Sequence, residues 1–327
     1  MKKRSRLQDS EDIWVYSQDS LPSAGDSQKS SSDQEYALKY YISQSEAVNK
    51  KLMKNFSRLY LGIPEEVKNI IPILEKHTKL SQKEIYLVLR KIRMNESLEK
   101  LSLDFGIDKT KISRSLHQAT PILAAYLSEF IFWPERSVIQ SNVPIAFRAR
   151  FSKVESIIDC FEIEIQKPSN PLHQAQTWSH YKSANTVKYL ISCTPGGHIN
   201  FVSKGFAGRT SDAMIVQHSG FLSLLNPDTI VMADREFKHC ERLLAEKGCH
   251  LIRPPSSKGD LAFSETEVRE AKMIASLRIH VERVIRRIRE FKFLQPHSCL
   301  NHELVSMVDS AVLIACGLCS FQSPLVA

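Results

Sequence analysis

The chain has 327 residues, 43% of them hydrophobic, and 44 Lys and Arg against 36 Asp and Glu give a formal net charge of +8. At roughly 150 residues per domain this length suggests about two domains, each with material for a core, which excludes collagenous, wholly disordered and mini-protein classes. The most apolar stretch, 304–321, carries Asp309 and falls short of the roughly 20 residues a membrane span needs, so no membrane association is expected. The N-terminus begins Met-Lys-Lys-Arg-Ser-Arg and stays polar, without the apolar run of a secretory signal, which points to a chain that remains inside the cell.

Residues 1–35 hold five basic and seven acidic side chains among Ser, Asp and Gln, a composition that reads as a disordered tail and leaves +10 on the remainder. The basic cluster from Lys2 to Arg6 suits nuclear import or simply solvates a terminus. Residues 36–133 have apolar positions every three to four and read as a helical domain. Within it Ser81-Gln-Lys-Glu84 is a capping box that opens a helix with the stripe Ile85, Val88, Leu89 and Ile92. The pattern breaks over 134–150, which reads as a linker. From 151 to 322, β-branched runs (154–158, 187–193, 199–203, 230–233, 250–253) alternate in their later part with helical patterns (211–225, 238–247, 264–291), predicting an α/β class: a mixed sheet flanked by helices.

The segment 97–116 fits a helix-turn-helix, part of a module spanning about 81–118. Gly106 supplies the left-handed residue that ends the first helix, small Ser102 allows a close approach, and Asp108 caps the second helix. Leu101, Phe105, Ile107, Ile112 and Leu116 form the inner face. Thr110, Ser113, Arg114 and His117 then share an outer stripe flanked by Lys109 and Lys111, which is what reading a DNA major groove requires; the bland alternative is a polar face in water.

Two apolar runs end in an aspartate, Asp159 and Asp234, and Glu282 lies beside the apolar stripe of the last long helix. Burying such groups is costly unless they are paired or bind a cation. Three carboxylates at strand ends and on an overlying helix suit hard divalent ions such as Mg²⁺ or Mn²⁺, and a pair of such ions supports phosphodiester displacement. Each acid also has a bland reading: Asp159 as a strand-end residue with Glu162 as a rival ligand, Asp234 as a helix cap, Glu282 as a partner of Arg278 or Arg286. Arg283, Arg286, Arg287, Arg289 and Lys292 make a basic face on the same helix that suits a DNA backbone. The seven cysteines, all beyond residue 159, are scattered and read as reduced thiols; Cys316 and Cys319, the sole C-x-x-C, read as buried thiols on a helix, with a metal or redox role as the alternative.

Asp-Cys-Phe-Glu at 159–162, Gln-Thr-Trp-Ser-His-Tyr-Lys at 176–182, Asn-Thr-Val-Lys at 185–188, Phe-Val-Ser-Lys-Gly-Phe-Ala-Gly-Arg-Thr-Ser-Asp at 201–212, Ala-Asp-Arg-Glu-Phe at 233–237 and Arg-Ile-His-Val-Glu-Arg at 278–283 carry a resemblance. From about residue 80 to 321 the chain resembles DDE-superfamily endonucleases of eukaryotic transposons, the Harbinger-like transposases with an N-terminal helix-turn-helix. The resemblance implies an RNase H-like fold, with Asp159, Asp234 and Glu282 matching the family's catalytic and metal-binding acids. It also implies two divalent ions, double-stranded DNA of transposon terminal repeats as substrate, strand transfer after cleavage, a homo-oligomer, a Myb-like DNA-binding partner and a nuclear location. Glu236 departs from the glycine common at that position, and Lys182, Asn185, Lys188 and Arg209 match family positions without an assigned role. With no cysteine before 160, the N-terminal zinc finger of some relatives is absent. A domesticated DNA-binding protein that keeps the fold without cleaving is the alternative reading, and cleavage of RNA:DNA hybrids a third.

Overall fold

The computed structural model describes residues 31–255 and 264–325; the tail expected over 1–35 falls almost entirely outside them. Residues 1–41 and 42–327 separate as two units, and the second holds the features below. Helix α1 (Ser31–Asn55) is followed by α2 (Ser57–Leu61), α3 (Ile70–Thr78), α4 (Gln82–Met94), α5 (Leu98–Phe105) and α6 (Lys109–Ser128). The capping box at the start of α4 is formed: Ser81 N donates to Glu84 Oε2 at 2.8 Å and Glu84 N donates to Ser81 Oγ at 3.3 Å. Arg90 on α4 is buried and is neutralised by Glu96 at 2.7 Å and by Asp104 of α5, which ties the two helices through a paired charge.

Gly106 ends α5 at φ 60°, and Asp108 accepts from Thr110 N at 2.8 Å to start α6. Ser102 donates to the Ile107 carbonyl at 2.6 Å across the turn. The second half of α6 buries Ala119, Leu123, Ala124 and Leu127. It lies so close to the C-terminal helix Val308–Cys319 that a side chain on Gly317 would collide with the Leu127 carbonyl oxygen. Gly317→Ala is expected to lower the unfolding free energy by about 1–3 kcal/mol, the usual cost of overpacking; an unchanged urea midpoint would show that the two helices separate freely.

Within 134–150 lie two short helices, α7 (Arg136–Ser141) and α8 (Ile145–Arg148), with Ile139, Val143 and Phe147 buried. The α/β part then runs β1 (Val154–Glu164), α9 (Pro171–Thr177), β2 (Trp178–Ser179), β3 (Ala184–Cys193), β4 (Ile199–Val202), β5 (Phe206–Ala207), α10 (Asp212–His218), β6 (Ile230–Met232), α11 (Glu241–Ala245), β7 (His250–Ile252), α12 (Glu265–Ile288), α13 (His302–Val305) and α14 (Val308–Cys319). Strand order is β2-β3-β1-β6-β7, with β4 and β5 also paired to β3. β1 pairs β3 antiparallel, and β6 pairs both β1 and β7 in parallel, so the sheet is mixed, as the sequence predicts.

β1 is longer than its apolar run suggests. The strand does not stop at Asp159: Phe161 and Ile163 continue the alternation toward one face, and the register with β3 holds from Ile157↔Cys193 to Glu164↔Thr186. Asp159 is therefore a mid-strand residue. The helix expected over 211–225 ends at His218, where Gly220 at φ 87° turns the chain.

The two sheet faces are covered differently. Ile157, Phe161, Tyr189 and Ile191 pack with Ile274, Val281 and Ile288 of α12, with α14, and with α4 and α6 in one continuous core. Ile158, Leu190 and Val231 pack with Ile215, Phe221, Phe237 and Leu244 on the other side. Cys316 and Cys319 are buried free thiols, and burial pushes Cys319 up to about 12, leaving it a packing group.

Candidate active site

The parallel register that pairs Ile157 with Met232 sets Asp159 and Asp234 each two residues further on, at neighbouring positions past the end of β6. Each carboxylate is steadied by a neighbouring backbone N–H: Cys160 N donates to Asp159 Oδ1 at 2.8 Å, and Arg235 N donates to Asp234 Oδ1 at 2.6 Å. Asp234 thus also caps the turn Arg235–Cys240, so the cap reading and a site reading coexist. From the overlying α12, Glu282 faces the same region one turn after Arg278.

Arg278 is the centre of this arrangement. Its guanidinium lies 3.0 Å from Asp234 Oδ1, 3.9 Å from Asp159 Oδ2 and 4.0 Å from Glu282 Oε1. The Arg278 side chain is 10% exposed and that of Asp159 23%, whereas Asp234 and Glu282 open to solvent at 39% and 55%. Burial pushes the Asp159 carboxyl up to about 6 against the opposing pull of Arg278. The site therefore has a protonatable acid at its base and two solvent-open ones at its mouth.

Three carboxylates around one positive charge match hard divalent ions in donor chemistry. Among the described residues, however, no three His, Cys, Asp or Glu side chains stand close enough together to ligate one ion. The cation at the focus of the acids is a guanidinium.

Several sequence candidates fall elsewhere. Glu162 points to the opposite sheet face, where Thr186 Oγ1 donates to it at 2.7 Å, so it is no rival to Asp159. Lys188 lies there too, 2.6 Å from Asp212 and 3.9 Å from Glu162, a buried ion network rather than a free phosphate contact. Asn185 is buried and donates to the Gln174 carbonyl and Thr177 Oγ1, both at 2.9 Å. Glu236 is exposed and faces away from the core. On α12, Arg283 and Arg286 are exposed and Arg287 is half-buried. On α6, Thr110, Lys111, Arg114 and His117 are exposed, Ser113 is half-buried, and Lys109 is held by Glu99. The sequence offers Arg278 as a helical partner of Glu282; its contact with all three acids depends on the sheet and is not visible in spacing.

Residues 158–320 match the DDE superfamily endonuclease family. The matched stretch runs from β1 to just beyond α14 and contains all three carboxylates together with Arg278. The mixed sheet flanked by helices fits a DDE nuclease fold, and the match supports a transposase-like nuclease. DDE-superfamily nucleases generally use divalent metals. No curated protein matches the chain.

Proposed function

We propose that this protein is a Harbinger-like DDE transposase that cuts DNA phosphodiester bonds, with an RNase H-like catalytic fold and an N-terminal helix-turn-helix reader. The observation that carries the reading is the meeting of Asp159 from β1, Asp234 from just past β6 and Glu282 from the overlying helix around the Arg278 guanidinium inside the family-matched region. Asp159, Asp234 and Glu282 are the residues that would hold divalent ions, Mg²⁺ or Mn²⁺. Such ions, when bound, supply an activated water and neutralise charge on the leaving oxygen.

The chain's own groups do the rest. The backbone donors at Cys160 and Arg235 fix two of the carboxylates, so their orientation does not depend on the cation they face. Arg278 keeps the acids from repelling one another. Arg283, Arg286 and Arg287 offer cations to a DNA backbone passing the mouth of the site, and Lys109, Thr110, Lys111, Ser113, Arg114 and His117 on α6 form the surface that reads DNA bases and phosphates. In this reading the protein acts in the nucleus on the terminal repeats of its element, as a homo-oligomer, with strand transfer to a target and a Myb-like partner to assist recognition.

Incubation with labelled duplex carrying the inverted repeats that flank the gene, in Mn²⁺, is expected to give strand scission that falls to background in Asp234→Ala. Scission that survives that substitution would remove the acids from the chemistry.

One observation favours the second reading, a domesticated DNA-binding protein without cleavage: the site's focus is filled by Arg278. Calorimetric titration separates the two. Heat from Mn²⁺ binding at millimolar concentration that is lost in Asp234→Ala supports the nuclease, and none at all supports the domesticated protein.

A further inference from the structure

Two arginines on one face of α12 and its C-terminal cap, Arg278 and Arg289, bury an Nε with no acceptor among the described residues. Their eleven-residue separation is about three helical turns, so both look toward the same region. Their circumstances differ. The terminal nitrogens of Arg278 are occupied by Asp159, Asp234 and Glu282. Arg289, the residue that closes α12, has no carboxylate within ion-pair distance among the described residues, although it is only partly exposed. Helical spacing sets Arg289 seven residues, about two turns, beyond Glu282 on the same side of the helix, and burial lowers its pKa against the opposing influence of Asp159 and Tyr181. Tyr181 itself is 81% exposed, with Lys182 Nζ 4.4 Å from its ring centroid, an open aromatic surface beside a second cation.

A guanidinium that is partly removed from water and left without an anion is costly, and the cost calls for a ligand. The carboxylates cannot be that ligand, because they already share Arg278. A phosphate oxygen can: it is anionic and accepts in the geometry of an arginine fork.

We propose that Arg289 is a phosphate ligand of the candidate active site, binding a phosphodiester oxygen of the DNA strand next to the acids, and is not one more member of the exposed basic face of α12. The inference rests on the nuclease reading and deepens it by assigning a substrate contact.

The test uses the full chain and a 20-base-pair duplex in Ca²⁺, read by fluorescence anisotropy across a salt series, together with urea unfolding in chelator. Arg289→Met, which keeps the length of the side chain without its charge, is expected to weaken duplex binding about tenfold, the loss of one charge-assisted contact. It is also expected to lower the salt slope by about 0.9, and to leave the unfolding midpoint equal to or above that of wild type. Arg269→Met, at an exposed position paired with Glu265, is the control and should change neither. Affinity and slope equal to wild type in Arg289→Met overturn the inference, as does a lowered midpoint with unchanged affinity, the mark of a structural arginine. Arg289→Gln is measured alongside, and loss of the fold in both variants also overturns it. A wild-type chain that binds no duplex overturns the nuclease reading and this inference together; wild-type binding with Arg289→Met unaffected overturns this inference alone.

Discussion

Asp159→Asn is expected to make the protein more stable at pH 8 while removing any nuclease activity. The Asp159 carboxyl titrates at about 6 in the folded chain against its ordinary 3.8, because burial disfavours the charged form more than Arg278 favours it. A folded pKa above the unfolded one means that the native state binds the proton more tightly. The contribution to stability is fully present below 3.8 and is lost as pH rises through about 6. Above that window the native protein carries the cost of a buried carboxylate, about 3 kcal/mol for a shift of this size. Asparagine has no charge to bury and still accepts from Cys160 N. Urea unfolding in chelator should therefore show the variant gaining progressively between about pH 4 and 7 and holding a constant advantage beyond. A variant less stable than wild type at pH 8, or a difference that does not vary with pH, would show that the carboxylate is well solvated.

The second large effect is expected at Arg278. Arg278→Met keeps most of the volume and removes the one cation that, among the described residues, contacts all three acids. Breaking a buried ion pair from one side costs roughly 3–5 kcal/mol, and the lower end applies because Asp234 and Glu282 are partly hydrated. In chelator the variant should lose about 3 kcal/mol of unfolding free energy. Millimolar Mn²⁺ should return much of that loss and should stabilise the variant more than it stabilises wild type, since there the guanidinium and the ion compete for the same oxygens. Equal Mn²⁺ stabilisation of both proteins would place the ion away from Arg278. The two substitutions share a contact and should not add: with Asp159 already neutral, Arg278→Met should cost less than it does alone.

Both effects explain which parts of the site can be read from sequence. Asp234 is legible because an apolar strand ends on it and the chain turns immediately. Asp159 is legible as an acid beside an apolar run but not as a mid-strand residue. The strand continues past it because Phe161 and Ile163 reach the α12 side while Cys160 and Glu162 face the other, and that split appears only once β3 supplies a partner for both faces. Local chemistry is read well: the Ser81 capping box and the Gly106-Asp108 turn follow from residues two or three apart, whereas the capping box at Ser264 is a finding of the structure. Long-range charge is read poorly. Lys188 has no role that its spacing assigns, and Asp212, 24 positions later, is seen to hold it only in the folded chain. Arg289 is assigned to an exposed basic face because helical periodicity cannot tell that its Nε is buried at the end of α12. The division into a helical part and an α/β part is visible in the pattern of apolar positions, but their common core is not, since periodicity reports that a face is buried and not what buries it.

That common core constrains how the protein can be rebuilt. Helix α6 carries Lys109 to His117 on its exposed first half and contributes Ala119 to Leu127 to the layer that also holds α14 and one face of the sheet. Its two halves belong to one helix with Pro121 inside the buried half, so the first half is carried on an element anchored in the sheet's core. A chimaera that exchanges the segment before residue 134 for a foreign module would also strip a wall from the sheet's hydrophobic interior. The graft can succeed only if the incoming piece brings a matching apolar surface with it.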